Sequence, residues 1–185
     1  MSNVAGVISL SRPLTDNEFY FLSAFALNKR MRRHRPMLEF MIADGQLEDP
    51  FREDACLPLG MDGYFFVGNN GVEFNESDPS VFNKEQPPRG MPGCWCSWQP
   101  AKDNRSMLVL SGKKEHHAIL WASFLVTKLF AKHWNMTAKG IITITHASSG
   151  GTKDPVKAYT DIAIVKGNTV ISSQKGKHVT PADQF

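Results

Sequence analysis

Tyr159-Thr160-Asp161-Ile162-Ala163-Ile164-Val165-Lys166-Gly167-Asn168-Thr169-Val170-Ile171-Ser172 contains two β-branched runs separated by Gly167-Asn168. A two-residue loop with glycine takes the left-handed turn that joins antiparallel strands, so this stretch reads as a β-hairpin. Working outward, residues 140–146 read as a strand of the same kind. Cys94-Trp95-Cys96-Ser97-Trp98-Gln99 and Ser106-Met107-Leu108-Val109-Leu110 read as a second hairpin across 100–105. Residues 63–67 form a short strand between turns, and 4–10 alternate apolar and small residues as a strand does. The predicted order is β-α-β-β-β-α-β-β-β. Strands joined by short turns favour an α+β fold with a mainly antiparallel sheet and two helices packed on one face. With 185 residues the chain suits one core, so 1–174 are read as a single domain. The polar residues 175–185 are read as a flexible tail.

Both helices carry local signals. Thr15-Asp16-Asn17-Glu18 is a capping box, Leu14 and Phe19 are placed as its hydrophobic staple, and Phe19, Leu22, Phe25 and Ala26 recur at helical spacing. This helix is expected to run into Lys29-Arg30-Met31-Arg32-Arg33-His34-Arg35 and to be stopped by Pro36. Residues 116–134 are apolar around most of a helical circumference, the pattern of a buried helix lying on a sheet. Between them, 37–92 lack strong periodicity, and 74–93 are rich in Asn, Asp, Ser, Pro and Gly. Long irregular segments inside a domain are more often functional than not.

Composition narrows the class. The chain is 42% hydrophobic and 21% charged, as in an ordinary globular protein. No run approaches the ~18–20 apolar residues that span a bilayer, so no membrane role is expected. Three cysteines argue against a disulfide framework, and a reducing cytoplasm is the expected setting. The net charge of +3 hides a split: residues 1–100 hold 9 Lys and Arg against 13 Asp and Glu, whereas 101–185 hold 12 against 5. A basic region can attract nucleic acid, a nucleotide or an acidic protein.

The candidate ligand-binding residues are Arg30, Arg32, Arg33, Arg35, His116, His117 and Lys153. The four arginines are crowded on one short run, too close for each to find a carboxylate easily, which leaves guanidinium forks for phosphate or carboxylate. A solvated helix end is the plainer alternative. His116-His117 sit where a helix N-terminus favours neutral imidazoles and anion contact. Lys153 follows Ser148-Ser149-Gly150-Gly151-Thr152, which lacks Walker spacing but can cradle a phosphate as a nest. Cys94-x-Cys96 is too tight for usual zinc spacing and reads as core packing, with a metal site or reactive thiol as alternatives. No catalytic motif is present, and neither metal nor cofactor is expected.

Pro87-Pro88-Arg89-Gly90-Met91-Pro92-Gly93-Cys94-Trp95-Cys96-Ser97-Trp98 resembles a motif of a family of small bacterial and phage proteins with no assigned activity. Leu14, Glu18 and Arg30-Met31-Arg32-Arg33 are similar to that family's early helix. His116-His117 and Ala147-Ser148-Ser149 depart from its aromatic and Gly-Glu-Asp positions. The resemblance implies a phage or mobile-element origin. The leading expectation is a non-catalytic binding protein, a phage inhibitor of host defence acting on a nucleotide signal or a host protein, with a homo-oligomer as a candidate assembly. A nucleic-acid-binding module using the basic helix end is the second expectation, and a small enzyme with a Cys/His site the third.

Overall fold

The 159–172 hairpin forms as its sequence dictates. In the computed structural model, which describes residues 2–69, 76–110, 116–146, 159–174 and 177–179, β7 (Tyr159–Gly167) pairs antiparallel with β8 (Thr169–Gln174). Gly167 takes the left-handed φ of +65° that the turn needs. The chain forms two compact units, Met1–Pro13 with Ala101–Phe185, and Leu14–Pro100.

The first unit is a mainly antiparallel sheet, ordered β5 (Ser106–Val109), β1 (Ser2–Leu10), β6 (Ala138–His146), β7, β8, β9 (Lys177–Val179). One face carries Ile8, Met107, Ile142, Ala163, Val165 and Val170, all buried. Onto β8 packs the 116–134 helix, built as α4 (His116–Phe124), a wide π-helical stretch Leu125–Phe130, and α5 (Ala131–Trp134). Trp121, Leu125, Val126, Leu129 and Phe130 are wholly buried, as expected of a helix apolar on most sides. Asn135 ends it in the left-handed conformation at φ +48°.

Where β6 crosses β1, Gly140 stands opposite Ile8. A Cβ at this position would lie 2.2 Å from the Val7 carbonyl oxygen, closer than any side chain tolerates. Gly140→Ala is therefore expected to lower stability by about 1–3 kcal/mol, the usual range for overpacking. The check is a lower urea midpoint at unchanged m-value.

The second unit begins at the capping box. Thr15 Oγ1 accepts from the Glu18 amide at 3.3 Å, and the Thr15 amide donates to Glu18 Oε2 at 2.9 Å. The helix that follows, α1 (Asp16–Leu27), buries Phe21, Leu22 and Phe25. It packs on α3 (Pro50–Asp54) and β4 (Trp98–Pro100), with Phe21 edge-on to Phe65 at 6.1 Å.

The α+β class and antiparallel sheet are as expected, but the middle of the chain differs. The α1 helix ends at Leu27, and 28–34 are extended, with β2 (Arg32–Arg33) paired to β3 (Val81–Asn83). Pro36 does not stop a helix. It sits in the first turn of α2 (Arg35–Ala43), where its missing N–H has no intrahelical bond to lose. The strand expected over 63–67 is absent, replaced by a 3₁₀ turn, Met61–Gly63. Gly60, Asp62 and Gly63 all have positive φ, which an extended strand excludes. The strand expected from Cys94 shrinks to Trp98–Pro100, with bends at Cys94, Trp95 and Ser97.

Candidate functional site

The extended backbone of 28–34 decides what the basic run does. In an extended chain, successive side chains leave on opposite sides, so cations adjacent in sequence reach different parts of the second unit. Lys29 Nζ meets Glu76 at 2.6 Å. Arg30 is 3% exposed. It donates to the Phe66 carbonyl at 2.7 Å and the Asn28 carbonyl at 3.3 Å, and lies 4.7 Å from the Phe25 ring centroid. Burial, followed by the nearby Arg33 charge, brings the Arg30 pKa down to about 9, which leaves it protonated at neutral pH.

Arg33 is equally buried. Its guanidinium pairs with Asp78, donates to Ser80 Oγ at 2.7 Å, and stands 4.6 Å from the Phe66 ring centroid. Arg35 is exposed and pairs with Glu39 one helical turn on, at 2.7 Å. Crowded as they are, Lys29, Arg33 and Arg35 do find carboxylates, which arrive from the supposedly irregular 37–92 segment, and the run holds that segment in place. Sequence alone could not pair Arg33 with a residue 45 positions away.

Arg32 is the member of the run that forms a surface. Its Nε lies 3.3 Å from Asp62 Oδ2, its Nη1 donates to Gln86 at 3.0 Å, and its guanidinium is 5.6 Å from the Phe82 centroid. Asp62 is shared. Arg89 donates to it through Nε at 2.9 Å, Nη2 at 2.8 Å and its backbone amide at 3.1 Å. Two arginines thereby converge on one carboxylate, and the exposed Phe82 and Met61 flank them. Asp62 holds this position at φ +54°, in the left-handed region. Asp62-Gly63 is a turn dipeptide and the turn is there, but its meeting with Arg32 and Arg89, 30 and 27 positions away, carried no signal in the sequence.

The Arg89 hydrogen bonds hold the Asp62 carboxyl down at about 2, against an ordinary value near 3.9. A depressed folded-state value stabilises the fold fully above the unfolded value and ceases to do so as pH falls through the folded one. Asp62→Asn is therefore expected to destabilise the protein at pH 5 and to make little difference by about pH 2, as read from urea midpoints across that range.

Beside the Arg33–Asp78 pair lies a cleft of about 370 Å³, lined by Arg33, Leu47, Glu48, Phe66, Asn69 and Asp78 among others. Its volume is in the range of small-molecule sites, but two carboxylates stand in it against one guanidinium.

The remaining candidates separate. His116 opens α4, as expected, and His117 is half-buried beside it; the side chain of His116 and the whole of Lys153 with its 148–153 loop lie outside the described residues. Cys96 is buried, with its sulfur 3.4 Å from the Trp98 amide. Cys94 is half-buried and donates to the Glu85 carbonyl at 3.7 Å, and burial pushes its thiol up, away from thiolate chemistry. Among the described residues, no three His, Cys, Asp or Glu side chains gather as metal ligands do, and no helix is long and apolar enough to cross a membrane. Comparison of the chain with protein families, with curated proteins and with solved structures finds no match.

Proposed function

We propose that the chain is a non-catalytic binding protein whose partner is a protein surface bearing acidic and apolar side chains, engaged around Asp62. The observation that carries this reading is the convergence of Arg32 and Arg89 on one carboxylate beside exposed Phe82 and Met61. One net positive charge remains there, the guanidiniums are pre-ordered, and arginine with aromatic side chains is the composition of binding hot spots. A nucleotide signal is the weaker ligand, because Arg30 and Arg33 are buried on internal partners and the 370 Å³ cleft is net acidic. A nucleic-acid role for the 29–35 run is weaker because Lys29, Arg30 and Arg33 are drawn inside and Arg35 is paired along its helix. That leaves Arg32 with Arg89, too few cations to follow a phosphate backbone. The resemblance of 87–98 to a family of small bacterial and phage proteins, which has no assigned activity, fits a host protein as the target.

The test is affinity capture from nuclease-treated host lysate, comparing the wild type with the Phe82→Ala/Arg89→Ala double variant. Both side chains are exposed, but Arg89→Ala also removes the main partner of Asp62. The variant's melting temperature should therefore fall, and capture is compared well below it, with circular dichroism native. A specific captured protein should be lost in the variant and released by salt. Equal capture by both proteins would refute the assignment of this surface.

A further inference from the structure

The second face of the six-stranded sheet, opposite the buried one, has an unusual centre. The register sets Leu108 against Val7, Val7 against Ile141, Ile141 against Ile164, and Ile164 against Ile171. These five residues form one straight row across β5, β1, β6, β7 and β8. Their exposures are 37%, 47%, 58%, 50% and 49%. Ile162, two residues from Ile164 on the same face, is 42% exposed. An antiparallel sheet that leaves one face in water normally alternates polar residues onto it. This face presents roughly 500 Å² of apolar side chain instead, at the upper end of what monomers expose.

We propose that this face joins two copies of the chain as a symmetric, face-to-face sheet dimer. It lies in the unit that does not hold Asp62, so it stands independently of the partner surface described above. Area is the first argument: with Thr143, Thr145 and Thr160 around the row, the face approaches the ~800 Å² per partner of a standard stable interface. Its apolar centre has the composition of homodimer cores.

Charge is the second argument. Lys139 and Lys166 stand opposite each other in the adjoining row, next to Ser9, while the row on the other side holds Ala5, Thr143 and Ile162. No acidic residue occurs in these rows. A two-fold axis along the strands would lay lysine on lysine. A two-fold axis along the apolar row instead lays each lysine row over the partner's Ala5–Thr143–Ile162 row, with ammonium groups reaching past it to water. It also places every residue of the apolar row over its own copy. Packed sheets are rotated by about 30°, which displaces the ends of the row but leaves its middle residue, Ile141, facing Ile141.

Sedimentation equilibrium should give twice the 20.7 kDa chain mass at micromolar concentration. Ile141→Lys/Ile164→Lys should raise the dimer dissociation constant at least 100-fold while circular dichroism stays native. In a Cys56→Ser background, Ile141→Cys should cross-link to itself under mild oxidation, whereas Lys139→Cys should not. A monomeric wild type overturns the proposal. If its Ile141→Cys thiol then reacts freely with maleimide, the face is open to a different protein; if it does not react, another segment of the chain covers the face. A dimer that survives the double lysine substitution, or that cross-links through Lys139→Cys but not Ile141→Cys, overturns it too.

Discussion

Arg33→Ala is expected to lower stability by about 3–5 kcal/mol, the usual cost of removing one partner from a buried ion pair. Asp78 is the reason: its side chain is 2% exposed, and without the guanidinium its charge is stranded away from water. Asp78 also accepts from the Ser80 amide at 2.9 Å, and Ser80 Oγ accepts from Arg33 at 2.7 Å, so the loss spreads through the connection between 32–34 and 78–83. Lysine should rescue little, because a single ammonium cannot both bridge Asp78 and Ser80 and lie flat over Phe66. Replacing both charges, as Arg33→Met/Asp78→Leu, should cost less than either single change, since apolar substitutes leave no stranded charge. Arg35→Ala, at an exposed i,i+4 pair, should change stability by less than about 1 kcal/mol. Urea unfolding of the wild type, these variants and the two single changes decides it: a near-neutral Arg33→Ala would mean that the pair is solvated.

Trp98→Ala should cost about 3–5 kcal/mol as a large-to-small change in a close-packed core. Trp98 is wholly buried, and α1 packs on its strand. Trp98→Phe, which keeps most of the volume, should cost clearly less. Equal stability of all three proteins in urea would show that the indole does not pack as described.

The two predictions mark how far the sequence could be read. Trp98 was legible as core because its setting is local, a cluster of aromatic and cysteine residues with few places to go but inward. The capping box at Thr15 and Glu18 and the hairpin at Gly167 were legible for the same reason, each being a contact between residues three or fewer positions apart. Arg33 was misread: charge density is visible in sequence, but its neutralisation depends on Asp78, far along the chain. Pro36 was read by its commoner role, when the extended stretch before it makes it a helix opener. Of the candidate binding surface, Arg32 was found and Asp62, Phe82 and Arg89 were not, since a left-handed turn at Asp62 assembles them. The apolar sheet face was half visible: Ile162, Ala163, Ile164 and Val165 are apolar on both parities, so the strand lacks the polar alternation of a solvated face.

The strand order has a consequence for how the protein is made. β1 occupies an interior place between β5 and β6, both of which follow it in the chain, and the whole Leu14–Pro100 unit is synthesised between β1 and either neighbour. Domains generally fold as units during synthesis, so the later-starting unit can be complete while β1 still waits with both edges unpaired. Closure of the sheet then depends on contacts spanning most of the chain, such as Ile8 with Gly140, the kind of long-range pairing that folds slowly. A nascent chain stalled once residue 100 has cleared the exit tunnel, with β5 still inside it, should therefore carry a protease-resistant 14–100 core and a β1 segment still open to cleavage.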